Sequence, residues 1–134
     1  MDAKKLLREY RNILREIERI EDELATWQAR AEKCTTSFSA VPGGGGDGDK
    51  IQVAVEQMDA IREKLNARLV KLTDARDNAE RIIKSVSDLR LRLILEYRYI
   101  DGLTYDEIGL RMNYSFRQIF RLHKWALSKA EKMA

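Results

Sequence analysis

Cysteine, histidine and proline each occur once in this chain, as Cys34, His123 and Pro42. A single cysteine cannot close an internal disulfide, and one cysteine with one histidine cannot supply the four ligands of a structural zinc site. Zinc fingers are thereby excluded. Aromatic residues make up only 7% of the chain, too few for a large globular core. No segment approaches the roughly 18 apolar residues that span a membrane. The start, Met1-Asp2-Ala3-Lys4-Lys5, lacks the apolar core of a secretion signal. These shortages lead us to expect a cytoplasmic protein without membrane attachment. Catalysis is not expected: one histidine, one cysteine and carboxylates scattered over solvated faces offer no nucleophile-base pair, and no cofactor or metal is expected. Cys34 reads as a free thiol without a special role.

What is abundant is charge, 35% of residues, with the Lys, Arg, Glu, Ala and Leu bias of long helices. Its distribution is uneven. Residues 1–87 hold 16 basic and 16 acidic side chains, whereas residues 88–134 hold 9 and 6, so the whole net charge of +3 lies in the last third. Between Arg111 and Lys132 six basic residues face Glu131 alone. A local basic excess is the footprint of a segment that meets phosphate.

Along the first third, Leu6, Tyr10, Ile13, Ile17, Ile20, Leu24, Trp27 and Ala31 alternate spacings of four and three. This is a heptad seam, and a helix from Asp2 to Lys33 would be roughly 48 Å long at 1.5 Å per residue, which requires a partner helix. Residues 35–49, with Pro42 and four consecutive glycines from Gly43 to Gly46, predict a flexible connector. The run is not a phosphate-binding loop, because no strand precedes it and no Gly-Lys-Ser/Thr ends it. A second long helix carries Ile51, Val55, Met58, Ile61, Leu65, Leu69, Leu72, Ala75, Ala79, Ile82 and Val86. It can fold back on the first as a hairpin, or the first can pair with its copy in another chain, and both can coexist in a four-helix bundle. The pattern leaves both open.

After Ser87 and Asp88, good helix caps, a stripe of Leu91, Ile94, Leu95 and Tyr99 predicts a short helix ending at Asp101-Gly102. Thr104-Tyr105-Asp106-Glu107 matches a capping box and starts another, with Ile108 and Met112 inward and Gly109 allowing close approach. Asn113-Tyr114-Ser115 is a turn with Asn113 tolerant of the left-handed conformation and Ser115 as the next cap. The last helix turns Ile119, Leu122, Ala126 and Leu127 to the core, and its other face carries Phe116, Arg117, Gln118, Phe120, Arg121, Lys124 and Lys129. Two helices joined by such a turn, the second with Arg and Gln in its first turns, suit insertion into the major groove. Arginine can bond two acceptors on guanine and glutamine two groups on adenine. His123 and Trp125 read as surface or packing residues.

The run from Thr104 to Gly109, with Met112 to Ser115 and then Ile119, Leu122, Ala126 and Leu127, resembles the promoter-reading C-terminal region of bacterial sigma factors without a gap. The fuller stretch from Tyr97 to Leu127 is closer to small regulators of Gram-positive bacteriophages, the RinA-like and ArpU-like late-gene activators. The resemblance covers about 45 residues. Together with the two long apolar seams it implies an all-α fold: a long helical hairpin or coiled coil over residues 1–87, which resembles that group only in general plan, then a sigma region 4-like helix-turn-helix domain over 88–134. It implies base reading by Phe116, Arg117, Gln118, Phe120 and Arg121, with Ser115 on the phosphate backbone, and we add Lys124 to this DNA-binding set. Phe116 and Phe120 stand where sigma factors usually carry polar or charged residues, so a sigma-type promoter element is not the expected target. These phenylalanines can touch thymine methyls or pack. The function expected is sequence-specific duplex DNA binding by a phage or prophage transcription regulator, as a homo-oligomer joined by the coiled coil. Two alternatives are a small terminase subunit recognising a packaging site and an interaction module that docks on RNA polymerase.

Overall fold

The computed structural model describes the backbone of residues 2–40 and 45–133 and the side chains of residues 2–34 and 48–132. These residues are all-helical, with no strand among them: α1 (Ala3–Ala40), α2 (Gly45–Ser85), α3 (Leu89–Leu95), which runs on into a π-helical turn (Glu96–Ile100), α4 (Tyr105–Met112) and α5 (Phe116–Met133). No described helix is long and apolar enough to cross a membrane.

The connector expected over residues 35–49 is shorter than that in the structure, because α1 continues to Ala40 and α2 already starts at Gly45. Threonine and serine cost a helix only a few tenths of a kcal/mol each, so an established helix runs through Thr35 to Ser39. Residues 41–44, which include Pro42 and two of the four consecutive glycines, lie outside the described residues.

The chain divides into two compact units, one of Arg15–Val70 and one of Met1–Leu14 with Lys71–Ala134. In the first, α1 and α2 run antiparallel: Glu16 pairs with Arg68 at 3.4 Å, while Trp27, Arg30 and Cys34 share a groove with Asp49, Val53 and Ala54. The two helices thus pair within one chain. The buried stripe of α2 keeps Met58 and Ile61, with Ile51 and Leu65 half-buried, as expected, and differs at two steps here: Ala54 is buried, whereas Val55 and Leu69 are 41% and 42% exposed. Alanine brings a helix closer to its neighbour than valine does, and the inward position at the next contact goes to the half-buried Arg68 with its partner Glu16.

The second unit takes in more than the segment from residue 88 onward. Its inner face is built from Ala3, Leu7, Tyr10 and Ile13 of α1, Ala75, Ala79, Ile82 and Ile83 of α2, and Leu91, Ile94 and Leu95 of α3, all buried. Leu7 takes the inward place that periodicity assigned to Leu6, which is half-buried. Ala3, Leu7 and Tyr10 follow at steps of four and three, so the buried stripe rejoins the expected seam at Tyr10. The Glu131 carboxylate of α5 accepts from the Ala3 N–H, and Asp2 Oδ1 accepts from the Lys5 N–H at 3.2 Å. Helix ends leave such groups unsatisfied unless a side chain reaches them. The end of α2 is treated likewise: the Arg92 guanidinium donates to the Val86 carbonyl at 2.9 Å, while Asp88 caps α3 by accepting from Arg90 N–H and Leu91 N–H.

Beyond α3 the ladder widens to a five-residue step, Asp101 N–H donating to the Glu96 carbonyl at 3.0 Å. Sequence periodicity pointed to an ordinary helix end here. The π turn directs Tyr97 into the small core of Ile94, Ile108 and Ile119, and Tyr99 toward His123. Gly102 follows with φ +72°, the left-handed conformation expected of a glycine at this stop.

Candidate nucleic-acid interface

Thr104 opens α4 with the expected capping box: its hydroxyl accepts from Glu107 N–H at 3.2 Å, and the Glu107 carboxylate accepts from Thr104 N–H at 3.3 Å. Asn113 ends α4 in the left-handed conformation, φ 62°. Tyr114 N–H then returns to the Gly109 carbonyl at 2.9 Å. A Cβ on Gly109 would sit 2.6 Å from the Tyr114 carbonyl oxygen and 3.8 Å from Ile119 Cγ1 of α5, so the small residue serves the turn backbone first and also lies against the next helix.

The second cap is also reciprocal. Ser115 Oγ accepts from Gln118 N–H at 3.2 Å, and Gln118 Oε1 accepts from Ser115 N–H at 2.8 Å. Gln118 therefore spends its amide oxygen at the start of α5. A two-point contact to adenine needs that same oxygen, so base reading by Gln118 competes with the cap. The Ser-x-x-Gln spacing of residues 115–118 carries this signal in the sequence. Replacing Gln118 with Ala is expected to lower stability by about 1 kcal/mol through the lost cap. Urea unfolding of the variant checks it; an unchanged midpoint would mean the cap contributes nothing.

From Phe116 onward α5 turns Ile119, His123, Ala126 and Ala130 inward, leaving Leu122 and Leu127 half-buried. Phe116, Arg117, Gln118, Phe120, Arg121 and Lys124 all lie on the exposed side, within two and a half turns, and Ser115 adjoins them. Arg117 and Arg121, one turn apart, have no hydrogen bond or ion pair among the described residues. The only acid of α5, Glu131, is committed to the start of α1. The guanidinium groups of Arg117 and Arg121 are thus without an acidic partner among the described residues.

The two phenylalanines form a ridge with Tyr105 of α4. Tyr105 meets Phe116 and Phe120 edge-on, with ring centres 5.5 and 5.9 Å apart, and the Phe rings lie parallel at 6.4 Å. Both pack and both remain accessible, at 52% and 41% exposure. Arg98 lies 4.6 Å over the Tyr105 ring and Lys124 4.9 Å from the Phe120 ring, flanking the ridge with cations. Lys129 sits 5.9 Å from the exposed Trp125 ring.

Behind the ridge His123 is buried, 5% exposed, its Nε2 at 2.9 Å from the Tyr99 hydroxyl and its Nδ1 at 3.0 Å from the Tyr105 hydroxyl. It belongs to the packing side of the last helix, where it occupies a step of the stripe between Ile119 and Ala126. A neutral imidazole has one donor and one acceptor nitrogen, so one tyrosine donates to it and the other accepts. Burial, then the nearby Arg98, Lys4 and Arg8, push His123 down to about 4. Burial, followed by Tyr105, pushes the Tyr99 hydroxyl up to about 12, so it stays protonated. This chain ties the aromatic ridge to the core. Periodicity could have assigned His123 inward; its two hydroxyl partners come from elements 18 and 24 residues away and leave no local signal.

Among the described residues no group of three or more His, Cys, Asp or Glu side chains could hold a metal ion. Comparison of the chain with protein-family models, with curated proteins and with solved structures returns no match.

Proposed function

We propose that the chain binds duplex DNA sequence-specifically, with α4 and α5 as a helix-turn-helix and α5 entering the major groove, and that it acts as a phage-type transcription regulator in the cytoplasm. The observation that carries this reading is the outer face of α5: Arg117 and Arg121 project beside Lys124 without acidic partners, while the opposite face is packed. Guanidinium groups so placed can reach guanine O6 and N7, and the capped start of α5 brings amides and the Ser115 hydroxyl toward phosphate. Binding, not catalysis, is the activity. The paired helices α1 and α2 form a coiled-coil hairpin that joins copies of the chain. Val55 and Leu69, two heptads apart and accessible on α2, offer a seam for a second hairpin. Oligomerisation would then set the spacing of repeated half-sites.

Selection from a random duplex library at two salt concentrations tests the reading, and a defined motif, repeated with two-fold symmetry, is the expected result. Arg117→Ala is expected to weaken binding to the selected site about tenfold and to relax base choice at one position, the low end of what a two-point arginine contact contributes. Equal affinity of parent and variant would show that α5 does not enter the groove in this orientation. Lys124→Ala should weaken binding to all sequences alike and reduce the slope of log affinity against log salt by about 0.9.

A further inference from the structure

We infer that the Phe116–Phe120 ridge reads thymine, by contact with two 5-methyl groups one or two base steps apart in the major groove; this rests on the duplex-binding reading above. Phenylalanine has no donor or acceptor, so on the polar edges of the bases it gains only from meeting hydrocarbon. The major-groove edges of the bases present one hydrocarbon group, the thymine methyl. Two phenylalanines at helix positions one turn apart stand beside Arg117 and Arg121, on the same exposed side and next to the start of the helix. Their ring centres are 6.4 Å apart, whereas successive bases of a strand are about 3.4 Å apart along the axis. The pair therefore spans one to two base steps.

The ridge is held in shape before any partner arrives. Tyr105 braces both rings edge-on, and its own hydroxyl is anchored on His123. Little side-chain freedom remains to be lost on contact, which favours binding by pre-organisation. The surrounding charge selects the partner: Arg98 and Lys124 lie over the ring faces, and Arg117 and Arg121 extend beyond them. A polyanion with methyl groups on its floor meets both demands, whereas an apolar protein surface would have to strip water from these unpaired guanidinium groups.

Thymine and deoxyuridine differ only in this methyl group, so DNA chemistry tests the inference without altering the protein. Binding selections are run on the full chain in parallel, with random duplex libraries made with dT or with dU. The dT library is expected to yield a motif with two thymines adjacent or separated by one base, and the dU library to lose preference at those two positions. On single duplexes carrying the selected motif, each dT replaced by dU is expected to weaken binding about fourfold, and both together about fifteenfold, from burial of one methyl each. The double variant Phe116→Ala with Phe120→Ala should bind the dT and dU duplexes equally. Its helix content, measured by circular dichroism, shows that the fold persists, and the dU arm stands independently of it.

A shared motif with equal affinity from both libraries overturns the inference while leaving duplex recognition intact, and would assign the ridge to a protein partner. No motif from either library would overturn the duplex-binding reading itself.

Discussion

Lowering the pH from 7 to 4 is expected to destabilise the folded chain by up to about 3 kcal/mol through His123 alone. In the unfolded chain a histidine takes up its proton near pH 6.5. In the fold, burial first and the charges of Arg98, Lys4 and Arg8 next push His123 down to about 4. Between these two values the unfolded state binds more protons than the folded state, so stability falls as the pH falls through that window, and the loss is complete near the lower value. Above about pH 6.5 the group is neutral in both states and the dependence disappears. The hydroxyls of Tyr99 and Tyr105 supply the contacts at stake, at 2.9 and 3.0 Å from the ring nitrogens. Protonation makes both nitrogens donors, so each hydroxyl must turn to accept.

Urea unfolding at a series of pH values, for the parent and for His123→Gln, isolates this contribution. Glutamine offers one donor and one acceptor and carries no titrating proton, and carboxylates affect both proteins alike. The parent is expected to lose up to about 3 kcal/mol more than the variant between pH 7 and pH 4. Parallel curves would show that His123 is not held neutral in the fold.

Gly109→Ala is expected to cost about 2 to 3 kcal/mol, although alanine is the better helix former by about 1 kcal/mol. The added Cβ would lie 2.6 Å from the Tyr114 carbonyl oxygen, a backbone atom that cannot swing aside as a side chain could. Relief of the clash requires the turn at Asn113 to move, and that movement strains the hydrogen bond from Tyr114 N–H to the Gly109 carbonyl. The angle between α4 and α5 changes with it. We therefore expect a lower thermal midpoint together with weakened duplex binding, even though Gly109 touches no ligand in the proposed docking. A variant as stable as the parent would show that the turn relaxes freely. Leu110→Ala, at an exposed neighbour on the same helix, should change stability by less than about 0.5 kcal/mol and serves as the control.

The sequence by itself determined the helices and most of their ends. Periodic apolar residues required helices that bury one side, and Asp88, Thr104 with Glu107, and Asn113 marked three of the boundaries through local hydrogen bonds and a tolerated left-handed residue. Such signals lie within a few residues of their effect, which is why they can be read from order alone. The exposed run of the proposed reading face was legible for the same reason, as the side of α5 left over once Ile119 and Ala126 turn inward.

Tertiary structure decided what depends on residues far apart in the chain. It chose Leu7 over Leu6 and Ala54 over Val55, because a seam at three- and four-residue steps fits two neighbouring registers and only the opposing helix selects one. It extended α1 and α2 beyond the ends that composition suggested. It committed Glu131 to the start of α1, which left the basic face of α5 without its one nearby acid. Tyr105 became the brace of the two phenylalanines and Tyr99 its counterpart across His123, through contacts spanning 11 to 24 residues. Periodicity states which side of a helix is buried; what it is buried against, and hence the protonation of His123 and the shape of the aromatic ridge, exists only once the elements meet.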